Sequence, residues 1–202
     1  MLFALGWLVA PGMRGASGAT HATPLGIKGR VLKSDEFAGF TPRAPAAVVI
    51  NLEDWVKIAP SGGINVSDRL RRAGFVAASR EDLAWTKGTD RGGLSAVVRL
   101  RSAQAASNEI AQQLRDFANE PSRGRAKSYI AFSVPGVPGA HGFTLTTQQT
   151  SGHNIIFADG PFTYHLGVGW GNQASNPPTR AQLITAAKAL YARVHMRPAP
   201  PI

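Results

Sequence analysis

Cysteine is absent from this chain of 202 residues. Its absence excludes disulfide bonds, a thiolate nucleophile, zinc sites built on cysteine and a lipid-modified cysteine at the amino terminus. Acidic residues are also scarce, with 12 Asp and Glu against 22 Lys and Arg and a formal net charge of +10. Such a surplus favours contact with polyanions, or it serves solubility alone. Because the basic residues are scattered from Arg14 to Arg197, solubility is the preferred interpretation.

Long hydrophobic runs are missing as well. No stretch reaches the roughly 18 to 20 consecutive apolar residues that cross a bilayer, so no membrane span is predicted in the mature chain. Charged residues make up 17% of the chain and hydrophobic residues 44%, which is typical of a globular domain rather than of disorder. The roughly 160 to 180 residues that follow a short head segment suit one domain with its own core.

The head of the chain has the layout of a secretory signal peptide, with an apolar run over residues 2–10 and small residues over 15–22. One part of that pattern is missing, because Met1 is followed directly by Leu2 instead of by Lys or Arg. Either the true start lies upstream, or the segment is a strand or helix of the core. We expect a signal peptide over residues 1–22 and a secreted or extracytoplasmic protein.

The rest of the chain divides into an arm, a domain and a tail. Residues 23–45 are punctuated by Pro and Gly, so we expect a linker or extended arm whose Phe37 and Phe40 are able to dock on the domain. A single α+β domain is predicted over residues 46–197, and a short tail over 198–202.

Two helices have clear amphipathic patterns and caps. The first begins after Ser102, a good N-cap, and continues to about Asn119 with one apolar stripe. The last helix opens with Thr179 and Gln182 in the register of a capping box. A shorter helix is predicted over residues 67–73.

The strand signals are strongest in the second half of the chain. Residues 162–170 alternate strictly between apolar and polar positions, which favours antiparallel pairing, and a tight turn joins them to the apolar run over 153–158. Residues 94–101 are also predicted to be a strand, whereas 83–85 are interpreted as an apolar turn before a Gly-rich loop over 87–93. The predicted fold class is α+β, an antiparallel β-sheet with helices packed on one face.

The motifs of common enzyme classes are absent from the sequence. The five histidines lack metalloprotease spacing, and there is no serine elbow, P-loop or dinucleotide-binding fingerprint. The glycines at 167, 169 and 171 lie inside an alternating strand, where we interpret them as relieving crowding beneath a helix or along a groove. We therefore predict no catalytic residue, no cofactor and no metal site.

Five residues are candidates to face a ligand: Tyr164, His165, Trp170, Arg99 and Arg101. Aromatic side chains line many ligand pockets, although they are also common core anchors of a small domain. His165 lies on the less apolar side of its strand. The two arginines flank Leu100 without exposed aromatic neighbours, so specific nucleic-acid binding is not predicted.

Four segments resemble uncharacterised exported proteins of GC-rich Gram-positive bacteria: residues 70–76, 134–140, 157–160 and 187–194. The pattern is similar to extracytoplasmic sensor-like and lipoprotein domains. The resemblance implies an α+β domain with a ligand-binding or interaction role, and it brings no catalytic residues with it. The missing cysteines depart from the disulfide-bearing and lipid-anchored members.

These observations favour a non-enzymatic extracytoplasmic domain that binds a small ligand, a cell-envelope polymer or a partner protein. The first alternative is binding of a polyanion or envelope polymer through the basic surface. The second is a hydrolase whose active site is dispersed along the sequence.

Overall fold

The computed structural model describes residues 25–43, 46–59, 66–87, 90–195 and 197. The predicted signal peptide and the tail over 198–202 lie outside the described residues. Within the described part of the chain, no helix is long and apolar enough to cross a membrane.

Eight strands and four α-helices alternate irregularly along the described residues. The strands are β1 (Phe40–Pro42), β2 (Ala47–Val49), β3 (Phe75–Trp85), β4 (Arg91–Leu100), β5 (Ser128–Phe132), β6 (His141–Thr146), β7 (Thr150–Asp159) and β8 (Phe162–Gly171). The helices are α1 (Leu52–Ile58), α2 (Val66–Ala73), α3 (Ala103–Ala118) and α4 (Arg180–Val194), and a short 3-10 turn spans Ile27–Arg30.

All eight strands form one antiparallel sheet in the order β1-β3-β4-β8-β7-β6-β5, with β2 also pairing with β3. The pairing of β4 with β8 and of β8 with β7 is continuous over nine and ten residue pairs, so these three long strands form the centre of the sheet. The predicted α+β class and antiparallel sheet are confirmed.

Helices cover both faces of the sheet, whereas the sequence pattern predicts helices on one face. Ile155 and Phe157 of β7 pack in the cluster that contains α4, and the intervening Ile156 packs in a second cluster with Ile110 and Phe117 of α3. The apolar run along β7 is continuous, as in strands that are buried on both faces. We call the two sides the α4 face and the α3 face.

The two long helices begin where their caps predict. The Ser102 side chain accepts a hydrogen bond from the backbone N–H of Ala105 at the start of α3. Thr179 and Gln182 form a complete capping box at the start of α4. Both helix predictions are confirmed. Each helix is predictable because its sequence combines a local cap with an apolar stripe that packs against the sheet.

The described part of the expected arm packs on the α4 face. Phe37 and Phe40 are each 2% exposed and stack with ring centroids 4.4 Å apart. Arg193 of α4 fixes the segment through a two-point ion pair with Glu36, at 2.5 Å and 2.8 Å, and a hydrogen bond to the carbonyl of Val31. Residues 25–43 are therefore part of the folded body.

Candidate functional site

The five predicted ligand-facing residues do not form one site. Tyr164 and His165 are adjacent on β8, so their side chains point to opposite faces of the sheet. Tyr164 lies in the core of the α4 face, where its ring stacks on Phe157 at 4.6 Å and its hydroxyl accepts a hydrogen bond from Arg30 at 3.0 Å. Burial raises the pKa of Tyr164 to about 12, against the opposing effect of Arg30.

His165 lies on the α3 face beneath Phe117, with the two ring centroids 5.8 Å apart. Its Nε2 is 2.9 Å from the Oδ1 atom of Asn154 on the neighbouring strand. Burial lowers the pKa of His165 to about 4, and the charge of Arg80 acts in the same direction. The imidazole is therefore neutral at physiological pH.

The remaining three candidates are separated from His165 and from one another. Trp170 packs against the α4 face, with His153 edge-on at 4.7 Å. The guanidinium of Arg99 lies 6.0 Å from the ring of Phe162 on the same face. Arg101 is exposed beyond the end of β4.

A different surface of the sheet is open and has a glycine floor. Gly92 of β4 pairs with Gly169 of β8, which pairs in turn with Gly152 of β7, so three glycines form one row across three adjacent strands. Gly169 is four residues from His165 on the same strand, and the row therefore lies on the α3 face. Without side chains, the row exposes the backbone of the sheet itself.

This row is the floor of a groove of about 600 Å³, which we call the glycine groove. Leu94 and Leu145 lie at its two sides, and its polar lining includes Arg43 and Asn154. A volume of this size is typical of small-ligand sites.

Arg43 and Asn154 contribute hydrogen-bond donors to the glycine groove. Nη2 of Arg43 lies 3.8 Å from the point where a Cβ atom on Gly92 would stand, so the guanidinium is directly above the row. Among the described residues, Arg43 has no carboxylate partner. Asn154 uses its Oδ1 atom on His165, which leaves its amide N–H groups available.

The acidic groups of the same groove are already paired. Asp82 accepts hydrogen bonds from Arg80 at 2.6 Å and 2.9 Å. Asp90 lies 3.4 Å from Arg91. Among the residues that the structure describes, the titratable side chains of the lining are these two aspartates and two arginines, and Arg43 is the charge that no carboxylate neutralises. The groove therefore favours a ligand with an anionic group.

A second, much smaller cavity of about 30 Å³ lies between the sheet and helices α1, α2 and α3. Its lining combines apolar residues with His165 and the ion-paired Arg69. It has room for about one water molecule. In the described part of the chain, no group of three or more His, Asp or Glu side chains is placed to hold a metal ion.

Sequence reasoning found part of the glycine groove and missed the rest. The spacing of Gly167, Gly169 and Gly171 indicated a groove or a covering helix, and the groove is what the structure shows at Gly169. Gly92 was interpreted as part of a loop, whereas it lies within β4. The row depends on strand register, which a single sequence does not reveal.

The solved structures that are similar to this chain include two mycobacterial proteins. No protein-family model matches the chain, and no curated protein is significantly similar to it. The extracellular domain of PknH from Mycobacterium tuberculosis is 12% identical with a TM-score of 0.48, covering 77% of this chain and 86% of that one. A putative uncharacterized protein (Rv0999 ortholog) from Mycobacterium smegmatis is 8% identical with a TM-score of 0.41, covering 78% and 90%. The site is therefore interpreted from its own residues.

Proposed function

We propose that this chain is a non-enzymatic extracytoplasmic domain that binds a small acidic saccharide, free or within an envelope polymer, in the glycine groove. The observation that supports this proposal is the row of Gly92, Gly169 and Gly152. Glycine inside a strand weakens the sheet, because it packs no side chain and loses more conformational freedom on folding. Three glycines in one row are therefore best explained by close approach of another molecule.

The width of the bare floor suits a ligand with two sugar rings. Neighbouring strands lie about 4.8 Å apart, so Gly92 and Gly152 are separated by about 10 Å across β8. The backbone N–H and C=O groups along the row are used in the sheet, so the floor presents mainly Cα–H groups. Such a flat surface packs well against the C–H face of a pyranose ring.

The donors above the floor determine which saccharide fits. The guanidinium of Arg43 matches a carboxylate in a two-point, charge-assisted hydrogen bond. The free N–H groups of Asn154 match a hydroxyl or amide oxygen at the far side of the groove. An amino sugar with a carboxylate substituent meets both requirements.

The proposed extracytoplasmic location is supported by the sequence at the head of the chain. The apolar run and the small residues over 1–22 have the pattern of an export signal, and acidic amino sugars are components of bacterial envelope polymers. We propose binding rather than turnover, because both aspartates of the lining lie beside arginines and not beside a second carboxyl group.

Two matched disaccharides test the proposal. N-acetylglucosaminyl-N-acetylmuramic acid and N,N′-diacetylchitobiose share their ring size and acetamido groups, and they differ by one lactyl carboxylate. We expect the acidic disaccharide to bind at least tenfold more tightly in calorimetric titrations. We also expect Arg43→Gln to remove that difference. Equal affinity for both sugars, or no binding of either, would overturn the proposal.

A further inference from the structure

A second groove lies between α2 and α3 and has a volume of about 690 Å³. Its charged lining residues are four arginines and one glutamate: Arg69, Arg72, Arg101, Arg115 and Glu109. The amide side chains of Asn108 and Gln112 also line it. It shares no lining residue with the glycine groove. We call it the arginine groove.

One of the four arginines holds the two helices together. Nε of Arg69 lies 2.8 Å from Oε2 of Glu109, and its Nη1 lies 2.6 Å from Oδ2 of Asp116. Glu109 and Asp116 are buried on α3. Both carboxylates are therefore neutralised by Arg69, and the ion pairs fix the distance between α2 and α3.

The other three arginines are exposed and have no carboxylate partner among the described residues. Arg72 and Arg101 make no ion pair there. Arg115 donates from Nη2 to the side-chain oxygen of Gln112 at 2.7 Å, a neutral partner that orients it and leaves its charge uncompensated. The stem of Arg101 lies against Gly74, where a Cβ atom would stand 2.8 Å from Cδ of Arg101.

The exposed charges are distributed along a line. Lining residues 101, 105, 108, 112 and 115 follow intervals of four, three, four and three, which places them on one side of α3 and of the turn before it. At 1.5 Å per residue, the line from Arg101 to Arg115 is about 20 Å long. Arg101 and Arg115, at the two ends of this line, are too far apart to converge on one anion. Together with Arg72 on α2, they match charges that recur along a chain.

We propose that the arginine groove binds a linear phosphodiester-linked polyol chain. Guanidinium groups are good partners for phosphate oxygens. The Asn108 side chain accepts from Gln104 through Oδ1, and its remaining amide N–H groups suit the hydroxyl groups of a polyol. The described lining has no aromatic residue, and single-stranded nucleic acids are normally held by aromatic stacking of their bases. The site is independent of the glycine groove and does not rest on the function proposed there.

Adjacent arginines on α2 provide a matched experiment. Arg72 lines the groove, whereas Arg71 pairs with Asp68 at 2.7 Å and does not line it. Each Arg→Ala change removes the same net charge. Poly(glycerol phosphate) is titrated into the full chain by calorimetry at several salt concentrations, with unchanged thermal unfolding as the check on folding.

Three phosphate contacts predict a slope of log K against log salt of about −2, by the rule of about 0.7 per charge for a single strand. Arg72→Ala, Arg101→Ala and Arg115→Ala are each expected to lower the affinity about fivefold at physiological salt and to reduce the slope by about 0.7. Arg71→Ala is expected to leave the affinity and the salt slope unchanged within error. Gly169→Leu, in the glycine groove, is expected to do the same.

Each contrary outcome overturns the proposal in its own way. Equal loss in Arg71→Ala and Arg72→Ala would show a general attraction to a basic surface. Full competition by inorganic phosphate, at the same concentration of phosphate groups, would show a single-ion site. Tighter binding of a single-stranded oligodeoxynucleotide with the same number of phosphates would show a nucleic-acid site.

Discussion

His165 and Asn154 are joined by a hydrogen bond where the space beneath α3 meets the glycine groove. Nε2 of His165 lies 2.9 Å from Oδ1 of Asn154, and the neutral imidazole donates its proton to that oxygen. The bond orients the Asn154 amide so that its N–H groups remain for a ligand. His165 therefore contributes to the site by positioning Asn154, while its own ring packs against Phe117.

We predict that Asn154→Ala affects stability and binding together. The change leaves the buried Nε2–H of His165 without its partner, which costs about 1 to 3 kcal/mol of unfolding free energy. It also removes a donor from the glycine groove and weakens binding of the acidic disaccharide. Chemical denaturation and calorimetry measure the two effects. Gln148→Ala, at an exposed turn position, is the control and is expected to change neither.

Stability is expected to fall as the pH falls from 6.5 to 4. Burial lowers the pKa of both His153 and His165 from 6.5 to about 4, so the unfolded chain binds more protons than the folded chain in this range. At about 1.4 kcal/mol per unit, His165 alone contributes about 3 kcal/mol above pH 6.5 that is lost by pH 4.

Histidine variants separate this effect from other titrating groups. Burial raises the pKa of Glu81, which acts in the opposite direction as the pH falls. His165→Gln is therefore expected to flatten the loss of unfolding free energy between pH 6.5 and 4, while His141→Gln, at an exposed position, leaves it unchanged. An identical pH profile in the two variants would contradict a neutral, buried His165.

The arm over residues 25–43 is expected to depend on Arg193. Arg193→Ala removes a largely buried ion pair with Glu36 and leaves that carboxylate uncompensated, which costs about 3 kcal/mol. Limited proteolysis is expected to cut the variant first within the arm. Lys188→Ala, an exposed change on the same helix, is expected to stay within about 0.5 kcal/mol of the original protein. Equal proteolysis of the two variants would contradict this role.

The sequence predicts elements that are specified locally. α3 and α4 follow from Ser102, Thr179 and their apolar stripes, and β8 follows from its strict alternation. β3 was missed, because residues 77–82 are two alanines, a serine and three charged residues with no apolar alternation. β2 and β4 flank this strand, and their backbone groups stabilise it.

The face assignment and the site depend on contacts that are distant in the sequence. Residues 83–85, interpreted as a turn, are the end of β3. Residues 46–52 form a short apolar run rich in β-branched residues, which predicts one strand, but Asn51 caps α1 and the strand ends at Val49. The sequence pattern predicts that apolar side chains pack against helices on one face of the sheet. In β7, however, adjacent residues pack against α4 on one face and against α3 on the other. Only the register of β4, β8 and β7 places three separate glycines in one row.

Export is expected from the pattern of residues 1–22. Export is measured by expressing the full chain with a carboxyl-terminal tag in a Gram-positive host. The cells are then fractionated, and the amino terminus of the protein is sequenced. We expect the protein in the envelope or medium fraction, shortened after Ala19 or Ala22. A cytosolic protein that retains Met1 would exclude an extracytoplasmic function.

Filling the glycine groove tests whether a ligand binds on the row of glycines. A Cβ atom at Gly169 would meet only the backbone oxygen of Ser151, at an ordinary 3.7 Å, so Gly169→Leu projects into the groove without disturbing the sheet. Gly26→Leu adds the same side chain in open space outside the groove and is the matched control. We predict that Gly169→Leu abolishes binding of N-acetylglucosaminyl-N-acetylmuramic acid and leaves the melting temperature unchanged. The Gly26→Leu control is expected to keep both the affinity and the melting temperature of the original protein. Undiminished binding by a folded Gly169→Leu variant would show that the disaccharide does not bind in the glycine groove.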